Sequence, residues 1–375
     1  MTTTDPQTLK QTPFNDFHER HGAKFVDFAG WRMPINYGSI IDEHHHVRNQ
    51  AGLFDVSHMG RVKVSGRHAR RFLERVLSRR VSNMKEFTCR YSMICNEQGG
   101  VKDDILVYRY PEHWLLVVNA ANREKLMEHF AQQKGDLVCE IEDQTENTAM
   151  IAVQGPKAID LVSQFSSEIP TLKRFQFREK NLMVLKMTVS RTGYTGEDGI
   201  EVMLSASMAS MALKLLVKEN DENSPLKPCG LGCRDTLRTE AALPLYGHEL
   251  DEDMDPLSAG LHFAVSLDKD QDENGEPFVG QEALKRIHEQ GPPYQLVGLK
   301  FEGKRTPRQH HKVMIAGKER GYISSGCLSP TLGYPIAMAF VERGACEAGD
   351  GVSVQVGSKT HEAEVVKLPF YKPGQ

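Results

Sequence analysis

The stretch Asn96-Glu97-Gln98-Gly99-Gly100-Val101-Lys102-Asp103-Asp104-Ile105-Leu106-Val107-Tyr108 restricts the folds open to this chain more than any other. Paired glycines permit a turn with positive φ. The apolar Ile105-Leu106-Val107 that follows reads as a short buried strand. Asp103 and Asp104 therefore stand at the mouth of a rigid element. Side chains alternate along a strand, so the two acids face opposite ways. If Asp104 faces inward, it shares its face with Leu106 and Tyr108. An acid walled by apolar and aromatic groups has its pKa set by desolvation and hydrogen bonding, which makes it a candidate for chemistry. Taken alone, the stretch fits a solvated hairpin-turn Asp pair better; only the rest of the chain reverses that order.

A chain of 375 residues exceeds one ordinary core and divides into two or three domains. A formal net charge of −4 gives no electrostatic footprint for nucleic acid, and the longest apolar runs fall short of a membrane span. The start, Met1-Thr2-Thr3-Thr4-Asp5-Pro6, lacks the apolar core of a signal peptide and the arginine-rich pattern of a transit peptide, so a cytoplasmic protein is expected. Seven cysteines in so long a chain argue against a disulfide scaffold. Cys229 and Cys233 read as packing residues. His44-His45-His46 point in different directions on a helix and cannot chelate one ion together, and no H-E-x-x-H pattern exists. No metal site is expected.

Residues 1–12 read as a loose start. Thr12 is a candidate N-cap for a short helix begun by Pro13, Lys24 to Trp31 a strand entering a turn, and Gly38 to Asn49 a polar helix. The cluster Asp55-Val56-Ser57-His58 invites a catalytic-triad reading, but triad members converge from separate elements, and neighbours in sequence read as a turn. From Arg61 the pattern is strand (61–65), helix (Ala69, Phe72, Leu73, Val76 and Leu77 on one face), strands at 90–94, 104–109 and 114–118, then a helix from Arg123 capped by Asn122. This order predicts an α+β module with helices on one face of an antiparallel sheet. Ala149 to Val153 reads as a strand, Pro156 as the start of a helix, and Phe175 and Leu182 as the beginnings of two further strands. Beyond Gln295 come short strands separated by glycine and proline turns, a β-rich domain of barrel type. The acidic Asp251 to Pro256 reads as a solvated loop, and Lys269 to Pro277 as a linker.

Two further motifs carry polar chemistry. Arg191-Thr192-Gly193-Tyr194-Thr195-Gly196-Glu197-Asp198-Gly199-Ile200-Glu201 is a glycine-rich loop with three acids and an aromatic. It lacks the strand–loop–helix context of a phosphate loop, its charge favours amine or amide donors, and its plain alternative is a surface Ω-loop. Gly230-Leu231-Gly232-Cys233-Arg234-Asp235-Thr236-Leu237-Arg238 enters a helix on which Arg234 and Arg238 share a face. They form either a carboxylate clamp or a solvated stripe paired with Asp235 or Glu240.

Together, these stretches resemble one family, the aminomethyltransferases (T proteins) of the glycine cleavage system. The resemblance rests on Asp55-Val56-Ser57-His58-Met59, Gly99-Gly100-x-x-Asp103-Asp104, Val118-Asn119-Ala120-Ala121-Asn122, Arg191 to Glu201, Gly230-Leu231-x-x-Arg234-Asp235 and Ser329-Pro330-Thr331-Leu332-Gly333, in that order along nearly the whole chain. It implies an α+β protein of three domains around a central folate-binding cavity: a discontinuous first domain (1–54 plus 140–265), an inserted ferredoxin-like domain (55–139) and a C-terminal β-barrel-like domain (280–375). It implies transfer of a one-carbon unit from the aminomethyl-dihydrolipoyl arm of H protein to tetrahydrofolate, with no metal. By the same resemblance Asp104 is the catalytic carboxylate. Glu201 and Arg234 contact the pterin, Tyr91, Tyr108, Asn119, Tyr194 and Tyr246 line the folate pocket, and Met59 and Tyr371 approach it. Two rival readings share the scaffold. One is a folate-dependent demethylase. The other is a non-catalytic folate binder with a K-G-C-x-x-G-Q-E motif, whose cysteine is missing from Glu276-Pro277-Phe278-Val279-Gly280-Gln281-Glu282.

Overall fold

The computed structural model describes residues 9–182, 184–217, 224–272, 275–357 and 359–374. Most of the loose start, 1–8, and positions 273–274 of the expected linker lie outside them.

The chain opens with α1 (Asn15–Arg20), the hairpin β1 (Lys24–Phe28) and β2 (Trp31–Asn36), α2 (Ile40–Asn49) and β3 (Ala51–Asp55). Ser39 caps α2 by accepting the Asp42 N–H. Thr12 is not the N-cap of α1: the helix begins after Phe14, and the Thr12 hydroxyl donates to Asp55 Oδ2 at 2.6 Å instead.

A second group of elements follows: β4 (Gly60–Ser65), α3 (Ala69–Val76), β5 (Thr88–Cys95), β6 (Val101–Arg109), β7 (His113–Val118), α4 (Arg123–Lys134) and β8 (Glu140–Asp143). Its sheet, in the order β5-β6-β7-β4-β8, is antiparallel throughout. The α3 face foreseen from helical periodicity (Phe72, Leu73, Val76) and Leu126 and Phe130 of α4 cover one side of it. Each such fully buried apolar side chain stabilises the fold by about 1.5–3 kcal/mol. The other side, with Leu106, Tyr108, Leu115 and Val117, packs on Phe54, Met150, Ala152 and Met203.

Those partners belong to a six-stranded sheet, β10-β11-β12-β9-β3-β13. It is made by β3 and, after the second group, by β9 (Thr148–Gln154), β10 (Phe177–Leu182), β11 (Leu185–Ser190), β12 (Gly199–Ser205) and β13 (Leu226–Pro228). Between these run α5 (Ala158–Ser163) and α6 (Ala209–Leu216), and α7 (Leu231–Glu240) follows. Finally α8 (Gln281–Gln290) leads into β14 (Tyr294–Phe301), β15 (Lys312–Ile315), β16 (Lys318–Leu328), β17 (Pro335–Glu342), β18 (Gly351–Val356) and β19 (Lys359–Val366). These last six close into a barrel, β14-β17-β16-β15-β18-β19.

Several local expectations change. β6 begins at Val101, so the Asp pair lies inside the strand rather than at its mouth. Asn122 stands at the N-cap position of α4 as expected but makes no side-chain cap bond; its amide donates to Asp103 Oδ1 at 2.6 Å instead. Lys269 is not in a solvated linker. It is fully buried, its ammonium donating to the carbonyls of Glu74 (2.6 Å) and Leu77 (2.7 Å) and pairing with the Glu74 carboxylate.

Nor is the acidic run a free loop. The Val101 N–H donates to the Asp251 carbonyl, and the Asn96 amide to that of Glu252 at 2.8 Å. Buried Asp255 accepts from the N–H groups of Leu257 and Ser258. A Cβ at Gly100 would stand 1.8 Å from the Glu252 carbonyl oxygen. Gly100→Ala is therefore expected to push the two segments apart and destabilise by about 1–3 kcal/mol. Urea unfolding measures this, and a midpoint equal to that of the parent protein would show that the segments do not pack so closely.

Candidate active site

Alternation along β6 decides where the two acids go. Asp103, Ile105 and Val107 face α3 and α4, whereas Asp104, Leu106 and Tyr108 face the six-stranded sheet. Asp104 is opposite Met93 in register, which puts Tyr91 on the diagonal of the same face. The Tyr91 hydroxyl donates to Asp104 Oδ2 at 2.8 Å, and the Asn119 amide donates to Oδ1 at 2.8 Å. Burial pushes the Asp104 carboxyl above the usual range, opposed by those two donors. Phe263, 60% exposed, stacks on Tyr91 at the rim.

Tyr194 continues the site. It is half-buried, its hydroxyl donates to the Pro244 carbonyl, and it feels the charges of Arg238, Asp104 and Arg234. The Arg234 guanidinium lies 4.8 Å from the centre of the Tyr194 ring, a cation–π contact. Its Nη1 has no hydrogen-bond partner among the described residues. Beside it, Glu201 on β12 accepts from the Thr192 hydroxyl at 2.5 Å. Burial raises the Glu201 pKa, while Thr192 and the positive charge of Arg234 restrain the rise. Asp104, Tyr91, Tyr194, Arg234 and Glu201 thus form one electrostatically continuous strip contributed by β5, β6, the glycine loop, β12 and α7.

The remaining expected residues sit around this strip in different ways. Tyr246 is half-buried, with Lys125 donating to its hydroxyl at 2.9 Å and lying over its ring. Met59 is half-buried against the core beneath the sheet. Tyr108 is fully buried, packed on Phe177, its hydroxyl 3.1 Å from Ser190 Oγ; it backs the site from the core. The two arginines of α7 do not act as a clamp. Arg238 is buried and engaged by Glu249 (2.9 Å), Asp235 (2.8 Å) and Ser325 of the barrel, whereas Arg234 keeps an unpartnered Nη1 among the described residues.

The three acids of the glycine loop have three different partners. Asp198 pairs with Arg191 across the loop, Glu201 faces Arg234, and Glu197 accepts from Arg48 and from the Tyr371 hydroxyl, each at 2.8 Å. Arg48 went unnoticed in the sequence. It pairs with Glu197 and Glu240, stacks on Tyr371 at 3.9 Å, and so fixes the C-terminal tail against α7. The Ser329-Pro330-Thr331 loop of the barrel closes on the same Glu240 through both hydroxyls.

Asp55 pairs with His18 Nε2 at 2.9 Å rather than with His58, so no triad forms at that cluster. His58 is buried with Nδ1 unpartnered among the described residues, and burial brings its pKa down to about 4. Of the consecutive histidines, His44 contacts Thr236 and Thr331, and His46 the Pro225 carbonyl. Glu43, Cys229 and Cys233 bring potential metal ligands within 4.8 Å of one another. Both Glu43 oxygens are already taken, by the N–H groups of Tyr37 and Gly230 at the start of α7, where the helix dipole suits an anion rather than a cation. A cavity of about 450 Å³ lies elsewhere, between α1 and α6, and holds none of the expected residues. Among the described residues no helix is long and apolar enough to cross a membrane.

Residues 14–269 match the GCVT N-terminal domain, and residues 295–372 the glycine cleavage T-protein C-terminal barrel domain. The chain belongs to the T-protein family of the glycine cleavage system. An aminomethyltransferase of Rubrobacter xylanophilus is 45% identical over 97% of this chain and 95% of its own length, and one from Bacillus pumilus 42% identical over 97% and 99%. The crystal structure of the glycine cleavage system aminomethyltransferase T from Bartonella henselae superposes with a TM-score of 0.89 at 32% identity, covering 97% of this chain and 99% of that one. The T-protein fold is thereby established for this chain, and with it the class of enzyme, an aminomethyltransferase.

Proposed function

We propose that this T protein takes the one-carbon unit from the aminomethyl-dihydrolipoyl arm of lipoylated H protein and passes it to tetrahydrofolate, giving 5,10-methylene-tetrahydrofolate and ammonia. The observation that carries this reading is the setting of Asp104. Its two oxygens accept only from the neutral donors Tyr91 and Asn119, and among the described residues no lysine or arginine pairs with it. Its charge is thus left for a cation that arrives with the substrates.

Tetrahydrofolate, when bound, supplies the nucleophilic nitrogens. In this reading Asp104 orients them and stabilises the positive charge that develops as ammonia departs. Glu201 accepts hydrogen bonds from the pterin amine and ring N–H. Arg234 offers its unpartnered Nη1 as a second contact and holds Glu201 electrostatically. Tyr91, Tyr194 and Tyr246 supply flat surfaces for the folate rings. Tyr108 backs the pocket, Asn119 fixes Asp104, and Met59 and Tyr371 close its edges. The six-stranded sheet, the five-stranded sheet and the barrel are read as the cores of three domains, 1–54 with 140–265, the inserted 55–139, and 280–375, with β8 (Glu140–Asp143) carrying the five-stranded sheet past the 139 boundary. Seven free, buried cysteines fit a reducing compartment such as the cytoplasm.

The test supplies purified protein with aminomethyl-loaded H protein and tetrahydrofolate, and follows methylene-tetrahydrofolate and ammonia together. Matched yields of the two support the proposal. Folate binding without turnover would replace it with a demethylase or a non-catalytic folate binder, and absence of folate binding would overturn the site assignment as well.

A further inference from the structure

We infer that Asp103 is a positioning residue for Asp104 and acts through the side-chain amide of Asn119. The inference rests on the catalytic assignment of Asp104 above. Asp103 points away from the site, into the apolar layer between the sheet and the helices α3 and α4, and is fully buried. A carboxylate there is costly unless every lone pair is served. All its partners come from the turn between β7 and α4. Oδ2 accepts the Asn119 main-chain N–H at 3.0 Å, and Oδ1 accepts the amides of Asn119 at 2.9 Å and Asn122 at 2.6 Å.

The Asn119 amide is shared between the two acids. The NH₂ group that reaches Asp103 also donates to Asp104 Oδ1 at 2.8 Å and to the Asp104 carbonyl at 3.1 Å. Asp103 therefore holds Asn119 by both its main-chain and its side-chain donors and reinforces the amide orientation that presents NH₂ to Asp104. A carboxylate only accepts hydrogen bonds. Turned over, the amide would set its oxygen against carboxylate oxygens of both acids. A neutral residue at position 103 removes the Asp103 share of that discrimination and leaves the amide held by Asp104 alone. The turn itself needs no charge, since a serine or asparagine would join β7 to α4 at less desolvation cost. What the buried charge secures is a donor aimed at Asp104. Burial, and then the charge of Asp104, push the Asp103 carboxyl up, and the Asn119 and Asn122 donors oppose the rise.

Asp103→Asn, Asn119→Ala and the double variant are compared with the parent and with Asp104→Asn, reading kcat against pH and the folate dissociation constant. In Asp103→Asn, kcat is expected to fall by about 10- to 100-fold, with folate affinity within about threefold. The acid limb of kcat should move to higher pH, because Asp104 loses the donor that favours its charged form. The other groups facing the pair remain in every variant: Tyr91 from β5, Tyr194 from the glycine loop, Glu249 beyond α7, and Tyr246 with Lys125. Asn119→Ala should move the limb the same way, and the double variant should be no worse than Asn119→Ala.

A role for Asp103 through its charge alone predicts the opposite sign, since removing a neighbouring negative charge lowers the pKa of Asp104. A downward shift, an unchanged kcat or a multiplicative double variant overturns the inference. If Asp103→Asn does not fold, Asp103→Ser replaces it with the same expected shift. An unimpaired Asp104→Asn would instead mean that the assignment of Asp104 has failed, and the inference falls with it. An impaired Asp104→Asn beside an unaffected Asp103→Asn overturns the inference alone.

Discussion

Asp104→Asn is expected to lower turnover by about 10²–10⁴-fold while folate still binds. The substitution is isosteric, so Leu106, Tyr108 and Tyr91 keep their places around it. What changes is charge and hydrogen-bond polarity. Asp104 accepts at both oxygens, from Tyr91 and from Asn119. An asparagine must present its NH₂ to one of those donors, which leaves that donor without an acceptor, and it offers no negative charge to a developing cation. Pterin recognition is assigned to Glu201 and Arg234, beyond Tyr194, so binding and turnover separate.

The same assignment sets the pH dependence. Burial raises the Asp104 pKa, and the charged form is the active one, so kcat falls as pH drops through a value above the ordinary carboxylate range. That acid limb should vanish in Asp104→Asn. Measuring kcat against pH at saturating tetrahydrofolate for both proteins decides it. A variant that keeps both the rate and the acid limb would remove Asp104 from the chemistry.

The residues of the strip were legible in the sequence to very different degrees. The side on which Asp104 falls follows from alternation once β6 is recognised, and α3 and the barrel strands follow from periodicity and turn residues. Glu201 and Arg234 were singled out by the resemblance to the T-protein family, since the glycine-rich loop read alone fits a surface Ω-loop and the arginines of α7 fit a solvated stripe. Asp104 was singled out by the resemblance and by its face of the strand, but the partners of Asp103 could not be read, because Asn119 and Asn122 reach it only once β7 and α4 are packed. Arg238 does pair with Asp235, one of the two partners the sequence offered, but its buried pairing with Glu249 was hidden, because no local signal joins the two. Long-range ion pairs carry no local signal at all. Arg48 lies 192 residues from Glu240, and Lys269 lies 195 from the Glu74 carbonyl that it serves. Both looked like ordinary surface cations because lysine and arginine usually are.

Arg48→Leu is the substitution expected to damage stability most. The guanidinium donates to the Thr195 carbonyl at 2.8 Å and to Glu197 and Glu240 at 2.8 Å each, and it stacks on Tyr371. The Glu240 side chain is fully buried and that of Glu197 nearly so. Leucine leaves two carboxylates in a low-dielectric site with no cation, a loss of about 3–5 kcal/mol. A domain stability of about 5–15 kcal/mol makes that a large fraction of the total. Arg48→Lys should fall between, because an ammonium keeps the charge but cannot span both acids with a planar fork.

The loss should depend on pH with a definite sign. Burial opposes ionisation of Glu240, but hydrogen bonds from His44, Ser329 and Arg48 outweigh it and bring its pKa down from 4.5 to about 2. A folded pKa below the unfolded one gives stability that is present above the unfolded value and fades as pH falls toward the folded value. In Arg48→Leu the depression weakens, since only His44, Ser329 and Thr331 remain to serve Glu240. The stability gap between parent and variant should therefore be widest near neutral pH and shrink as pH drops below about 4.5. Urea midpoints across that range measure the gap. A difference below about 1 kcal/mol at neutral pH is the scale of an exposed ion pair and would mean that the cluster is solvated. A gap that does not change with pH would mean that Arg48 acts by packing on Tyr371 rather than by charge.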